Sequence, residues 1–451
     1  MASHAVPLDR RTWLDRLLSL ATEVRAGEGL GAILLLANVF LLLASYYLLK
    51  TVREALILSE SGAEVKSYAA AGQALLLLFV IPAYGALATK LNRKKLIAGT
   101  SIFFALNLVL FSIVGSSGIR EGIVFYLWLG VYNNFIVAQF WSFANDIYTE
   151  EQGKRLFPVI GIGSSLGAWI GAESARKLVA PIGPYKMMLV VAGVLLVCLL
   201  LNRFSEKLAT RGSNAQQRKA AKPLSKEGGF ELIFHDRYLL LIAAMILLLN
   251  VVNSSGEFMF GKLVTAQAVQ TIGAGDALQA ARGKFIGQTY GQFYGTVNLL
   301  GFLMQAFLAS RVLKYLGVRG ALFILPVISF GAYGMLLLYP VLGAVRVAKI
   351  LENSTDYSIQ STTNQALYLM TSREAKYKAK AAIDTFVVRM GDMMQALLVF
   401  IGVKMAFTIQ HFATITVLMA IAWMCVAGLI YREHKLLEER ERRMRGPALA
   451  A

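Results

Sequence analysis

A chain of 451 residues that is 57% hydrophobic and 16% charged, with a mean hydropathy of +0.57, falls outside the ordinary soluble class, where about a quarter of residues are charged. Its apolar residues come in runs of about twenty, the length of helix that crosses a bilayer core, and not in the alternating ten-residue strands of a membrane barrel. The net charge of +18 does not mark a nucleic-acid binder, because Lys and Arg collect in every second loop, as on the cytoplasmic side of helical membrane proteins.

Residues 1–30 are expected to form a cytoplasmic amphipathic N-terminus. Trp13, Leu14, Leu17, Leu18 and Ala21 fall on one helical face, with Arg10, Arg11, Arg16 and Arg25 around it, the pattern of a helix resting on an anionic leaflet. A frayed basic leader is the alternative. Arg10, Arg11, Asp15, Arg16 and Glu23 interrupt this stretch, so the first span is expected to serve as an uncleaved insertion signal. Apolar windows then predict about twelve spans, at 31–58, 67–90, 96–116, 121–147, 156–180, 185–203, 238–262, 284–312, 319–339, 341–370, 378–403 and 410–431. The segment 204–237, with Arg211, Arg218, Lys219, Lys222 and Lys226 beside Gly and Ser, reads as a flexible basic linker. It separates a bundle at 31–203 from a bundle at 238–431, and 432–451 reads as a tail. The basic segments alternate so that linker, tail and N-terminus share one side, and both termini are expected in the cytoplasm.

The halves carry matching turns. Leu87-Ala-Thr-Lys90 after the second span resembles Leu308-Ala-Ser-Arg311 after the eighth, and Thr149–Arg155 after the fourth resembles Thr371–Tyr377 after the tenth, at nearly the same separation. Together they predict an all-α polytopic membrane protein with twelve transmembrane helices in two six-helix repeats, the major-facilitator architecture, whose solute site lies near the bilayer midplane. Glycines every four residues, at Gly163, Gly167 and Gly171 and at Gly287, Gly291 and Gly295, read as smooth stripes for close helix approach; the fifth and eighth spans are expected to lie against each other.

Polar residues concentrate on four spans. The first carries Lys50, Arg53 and Glu54, the fourth Asn133, Asn134, Gln139, Asn145 and Asp146, the seventh Asn250, Asn253 and Glu257, and the tenth Arg346, Lys349, Glu352, Asn353 and Asp356. An ionisable group inside a span costs at least roughly 2.5 kcal/mol unless it pairs or faces water, so these helices are expected to line a polar path. On the first span, positions 46, 50, 53, 54 and 57 share one face. Lys50, Arg53, Arg346 and Lys349 suit an anionic solute, with Asn133, Asn134 and Asp356 shaping the path. Glu54, Glu257, Glu352, Asp384 and Arg389 are expected in gating or coupling, as are Asp146, Lys154 and Arg155 at the inner end of the fourth span. Static ion pairs are the structural alternative.

Cys198 and Cys425 sit in apolar runs and indicate neither a disulfide nor a metal site. His4, His235, His411 and His434 lie at ends and loops, and no nucleotide-hydrolysing phosphate loop occurs. Neither a catalytic constellation nor a cofactor is expected.

The motifs resemble those of the ATP:ADP antiporter family, the nucleotide translocases of plastids and intracellular parasites and their bacterial relatives. Ser45-Tyr46-Tyr47-Leu48-Leu49-Lys50-Thr51-Val52-Arg53-Glu54 is similar to the family's Asn-Tyr-x-Ile-Leu-Arg-Asp-x-Lys-Asp. Phe140-Trp141-Ser142-Phe143-Ala144-Asn145 resembles Phe-Trp-x-Phe-Ala-Asn, and Lys154-Arg155-Leu156-Phe157 with Gly161 and Gly163 resembles Lys-Arg-Phe-Tyr and Gly-x-Gly. Lys378-Ala-Lys-Ala-Ala-Ile-Asp384 resembles Lys-Gly-Lys-Ala-Ala-x-Asp. The family's first-span lysine corresponds to Arg53 and its seventh-span glutamate to Glu257. Its tenth-span Thr-Lys-Glu corresponds to Thr363-Asn364-Gln365, which carries neither charge.

The resemblance implies a secondary transporter of the bacterial inner membrane, monomeric and working by alternating access. Its solute would be an anionic, phosphorylated metabolite such as a nucleotide. A proton-coupled facilitator for another solute, using Glu54 or Glu257, and a non-transporting scaffold or sensor are the alternatives.

Overall fold

The computed structural model describes residues 12–19, 24–25, 27–90, 93–209, 229–372 and 375–445. Most of the expected linker, the end of the tail and Ala21 lie outside the described residues, as do the side chains of Leu17 and Lys154. Every element among the described residues is helical. That follows from the apolar runs: in hydrocarbon each backbone polar group must be satisfied within its own segment.

The helices are α1 (Trp13–Leu18), α2 (Gly29–Glu60), α3 (Gly62–Lys90), α4 (Arg93–Ser116), α5 (Gly122–Ile147), α6 (Glu150–Ala209), α7 (Gly229–His235), α8 (Arg237–Ile272), α9 (Gln279–Phe307), α10 (Ala309–Ala321), α11 (Ile324–Leu338), α12 (Leu342–Thr355), α13 (Ser361–Leu367), α14 (Lys380–Ala382), α15 (Val388–Lys404) and α16 (Ile409–Arg445). Eight helices among the described residues are long and apolar enough to cross a membrane, or nine if the pair bent by 73° at residues 307–309 is one span. Three features separate this number from the predicted windows, the first being that 319–339 yields only the fifteen-residue α11. The windows 156–180 and 185–203 form one helical run, broken at Gly183 (φ 76°) between Pro181 and Pro184. The window 341–370 is divided, because a π turn, Asp356–Gln360, separates α12 from α13. Two further π turns, Ala375–Ala379 and Ile383–Val387, flank α14, and the latter leads into α15. Much of the exposed surface is apolar, with Ile113, Leu200, Leu338 and Leu397 turned outward, as a lipid solvent requires.

Two compact units emerge from the backbone contacts. One comprises Met1–Glu60, Leu77–Ala220 and Gln279–Gly295; the other comprises Ser61–Leu76, Ala221–Leu278 and Thr296–Ala451. In the first unit, α2 packs chiefly on α6. The reason is the stripe on α6: a Cβ added at Gly163 would stand 2.6 Å from the Leu36 carbonyl oxygen, and Gly167 and Gly171 press on the carbonyls of Phe40 and Ala44. Backbones approach this closely only where no side chain intervenes. The glycines of the fifth window therefore face α2. The α9 stripe does meet the fifth window, with Gly287 on Val179 and Gly291 on Arg176. Phe104, Phe111, Phe125, Trp128 and Tyr132 fill the remaining core with edge-on and stacked rings.

The start of α2 is held from outside. Asp15 Oδ1 accepts from Gly29 N at 2.8 Å, and Oδ2 accepts from Gly27 N at 3.2 Å and Thr12 N at 2.8 Å. Burial raises the Asp15 pKa, but these bonds outweigh it and hold the carboxyl below the usual range. Arg155 donates to both oxygens of Glu28, at 3.0 Å each, and Gln152 adds a bond of 3.1 Å. Burial raises Glu28 as well, yet Arg155 and the Arg25 amide bring it below its ordinary value.

In the second unit α8 packs on α16, α15 and α12, and α11 packs on α16. Trp423 is fully buried there. The N-terminus of α8 is capped by Asp236, whose side chain accepts from Tyr238 N at 2.8 Å.

Candidate functional site

The first unit holds a cation pair on aromatic faces. Lys50 and Arg53 stand on the polar stripe of α2. The Lys50 Nζ lies 4.2 Å from the centroid of the Tyr294 ring and 5.3 Å from that of Tyr47. The Arg53 guanidinium carbon lies 4.3 Å from the centroid of Tyr126. Glu54 is fully buried and is ion-paired to Arg53, with the Nε contact at 3.1 Å. Tyr294 Oη donates to Glu54 Oε1 at 3.4 Å. The Tyr47 and Tyr294 rings meet edge-on, with centroids 6.0 Å apart. A ring face attracts a cation through its quadrupole but accepts none of its strong hydrogen bonds. Lys50 and Arg53 thus present two positive charges on one helix face, a combination suited to an anion.

Nearby polar residues of α5 play smaller parts. Asn134 donates back to the Gly130 carbonyl at 2.8 Å, and Asn133 is half-buried. Asp146 is exposed at the C-terminal end of α5, and Arg155 is the residue that clasps Glu28.

The second unit encloses its charges more completely. Lys349 is fully buried. Its Nζ donates to the Asn253 carbonyl at 3.1 Å, to Asn253 Oδ1, and to Glu352 Oε2 at 2.8 Å. Glu352 also accepts from Tyr333 Oη at 2.6 Å and from Ser329 Oγ at 3.4 Å. Glu257 lies 3.9 Å from Lys349 and 3.7 Å from Lys66, and accepts from Asn353 at 3.2 Å. Gly256 makes room for this set: a Cβ there would stand 2.7 Å from Lys349 Cδ and would collide with the Tyr333 hydroxyl. Thus Lys349, Glu352 and Glu257 belong to one network. Arg346 is half-buried and makes no hydrogen bond or ion pair among the described residues.

Farther along, Asp392 accepts from Asn250 at 2.9 Å and from Ser254 at 3.2 Å and pairs with Arg389 at 3.2 Å. Lys380 is ion-paired to Asp384. Asp356 opens the first π turn and, with Asp384, lines a polar cavity.

Sequence reasoning passed over the tyrosines that hold Lys50 and Arg53. Tyr46 and Tyr47 stood in the stretch itself, and Tyr294 lies between Gly291 and Gly295, where a large ring in a smooth stripe is a legible signal. It also passed over Lys66 and Tyr333, for which the sequence offers no comparable mark.

The comparisons with known proteins agree with this picture of the fold. Family models match two stretches: the Major Facilitator Superfamily over residues 30–351, and the TLC ATP/ADP transporter family over residues 289–434. The chain is similar to ADP,ATP carrier protein 3 of Rickettsia conorii, 24% identical over 309 residues, which is 60% of this chain and 60% of the relative. It is also similar to ADP,ATP carrier protein 5 of Rickettsia bellii, 25% identical over 373 residues, covering 72% of this chain and 71% of the relative. The match thus spans three fifths of the length of the first of these relatives. Among solved structures, the nucleoside transporter NupG superposes with a TM-score of 0.61 at 12% identity, covering 88% of this chain and 98% of that one. A bacterial homologue of the iron transporter ferroportin gives 0.60 at 13%, covering 89% and 98%. At such identities the likeness is one of fold.

Proposed function

We propose, from the premise that the chain belongs to the Major Facilitator Superfamily, that it is a secondary transporter of an anionic, phosphorylated metabolite, a nucleotide. The observation that carries this reading is the Lys50–Arg53 pair, two cations on one helix face held against tyrosine rings. The names of the similar carriers, which are proteins of ADP and ATP, support the solute class.

In this reading twelve spans form two six-helix repeats, with both termini in the cytoplasm of a bacterial inner membrane, and the carrier works as a monomer. Arg53 grips phosphate oxygens with its planar fork and Lys50 adds a point charge. Asn133, Asn134 and Asp356 shape the path, and Arg346 assists. Lys349 positions Glu257 and Glu352, which together with Glu54 respond to occupancy of the path. Asp146, Lys154, Arg155, Asp384 and Arg389 belong to gating. Alternating access then needs no hydrolysis, since exchange of anions or proton symport supplies the driving force.

Liposomes containing the purified chain should take up labelled nucleotide above empty liposomes. Arg53→Ala should lower that uptake at least about tenfold, the worth of one charge-assisted contact of roughly 1.5–3 kcal/mol. Absence of uptake of every nucleotide in a panel by correctly folded protein would sink the reading.

A further inference from the structure

The second unit contains a cavity of about 500 Å³, within the roughly 300–1,000 Å³ range of small-molecule sites. Its walls are not those of an anion site. Among the described residues Lys380 is the one cation in the lining, and it is already paired to Asp384, while Asp356 adds a second carboxylate. The remaining polar walls are neutral: Asn250, Asn253, Ser361, Asn364, Gln365 and Tyr368. A phosphate entering here would meet a net negative charge.

The same walls carry unspent hydrogen-bonding capacity. The side chains of Asp356, Ser361 and Gln365 make no hydrogen bond among the described residues. Asn364 Oδ1 accepts from Gln360 at 2.8 Å, which aligns the amide and leaves its NH₂ group as a donor. The Tyr368 hydroxyl is buried without a partner among the described residues, in a side chain 5% exposed. A buried polar group left unpaired costs about 1–3 kcal/mol, so the Tyr368 hydroxyl marks a place for a ligand group that pairs it, and the exposed Ser361 and Gln365 and the half-buried Asp356 are open to the same ligand. Two of the three π turns among the described residues deliver residues to this wall: Asp356 and Tyr357 from Asp356–Gln360 and Asp384 from Ile383–Val387. A π turn inside an α-helix is a costly irregularity that recurs at functional sites. Ile246 and Leu249 supply an apolar side.

Resting on the transport reading above, we propose that this cavity of the second unit binds a nucleoside, base and sugar, and disfavours phosphate. Asp356 accepts the paired donors that an exocyclic amino group or a ribose diol presents. Asn364, Gln365 and the Tyr368 hydroxyl read the acceptor edge of the base, and Leu249 and Tyr357 cover its faces. The neutral pair Asn364–Gln365 is what lets the wall discriminate by hydrogen bonds and not by charge.

The test uses the purified full-length chain in detergent, with thermal stabilisation as the readout. Adenosine, which has no phosphate, should raise the melting temperature of the wild type. Gln365→Leu and Asp356→Asn should each weaken adenosine about tenfold, the equivalent of roughly 1.4 kcal/mol. Both should leave stabilisation by inorganic tripolyphosphate unchanged, whereas Arg53→Ala should show the reverse. Gln365→Glu, which preserves shape, serves where the leucine variant does not fold and should weaken adenosine equally. No stabilisation by adenosine, or stabilisation untouched by the cavity variants, overturns the proposal. Nucleotide uptake in liposomes reports on the transport reading separately: uptake without an adenosine response overturns this subsite alone, and an adenosine response without uptake overturns transport alone.

Discussion

Each unit of the molecule buries basic residues, and the two do so in different ways. Lys50 and Arg53 rest on the rings of Tyr294, Tyr47 and Tyr126. Lys349 is surrounded by oxygen: the Asn253 carbonyl and amide, Glu352, and Glu257 at 3.9 Å. Rings lower the cost of burying a cation without themselves taking its strong donors, although Arg53 also gives two of its own to Glu54. Oxygens use those donors, and an ammonium has only three. The first arrangement suits binding and the second suits holding helices together. The same residue type in the same kind of apolar helix thus serves two ends, decided by what faces it.

The largest expected effect tests the second arrangement. Lys349→Met removes the cation and leaves Glu352, 2% exposed, without its counter-charge. Breaking a buried pair from one side costs about 3–5 kcal/mol, so this variant should melt far below the wild type or fail to fold. Lys349→Met combined with Glu352→Gln should recover much of the loss, because the stranded charge is gone. If the single variant melts like the wild type, Lys349 is not structural and the contrast between the units collapses.

Glu121 extends the comparison to a charge with neither rings nor oxygens to pair it. It stands in the connection before α5, ahead of the first residue of the span. Both of its carboxyl oxygens are buried without a partner among the described residues. The Glu60 carboxylate accepts from the neighbouring Gly122 amide at 2.7 Å, and Arg120 and Tyr185 lie close by. Burial, and then the charge of Glu60, push the Glu121 pKa up from an ordinary 4.5 to about 7. The folded chain therefore prefers the protonated acid. Below pH 4.5 folded and unfolded chains are both protonated and nothing is lost. As pH rises from there the unfolded chain ionises first, and the destabilisation is complete above about pH 7. Glu121→Gln should match the wild type at low pH and exceed it above neutrality by up to about 3 kcal/mol, at 1.36 kcal/mol per pH unit. Equal melting temperatures across a pH series from 4 to 8 would show that Glu121 finds a partner.

Much of this was legible before any coordinates. Lys50, Arg53 and Glu54 were visible because charges interrupt an apolar run, and burial in hydrocarbon makes any such interruption expensive. Glu257, Lys349 and Glu352 were visible for the same reason. Arg346 was too, yet it makes none of these contacts, since helical phase decides which side chains meet. Lys66 escaped notice because it precedes the second apolar window, although it reaches Glu257. The π turns at Asp356–Gln360 and Ile383–Val387 carry no sequence signature, so the cavity they help to line could not be read. The glycine stripes were recognised as surfaces of close approach, but a stripe does not name its partner, and the one on α6 lies against α2.

The smallest effect on stability should have the clearest effect on transport. Tyr126→Leu removes the ring under Arg53 and leaves the ion pair with Glu54 in place. The lost cation–π attraction is worth about 0.5–2 kcal/mol, and leucine keeps most of the apolar contact, so melting should fall by a few degrees at most. The guanidinium, though, loses the plane that sets its orientation, and a fork gripping phosphate depends on that orientation. Nucleotide uptake by the variant should therefore need a higher solute concentration for half-saturation, by about three- to tenfold, with the maximal rate nearly unchanged. A Tyr126→Leu carrier that melts well below the wild type but keeps its half-saturation would assign the ring cluster to structure and make the two units alike.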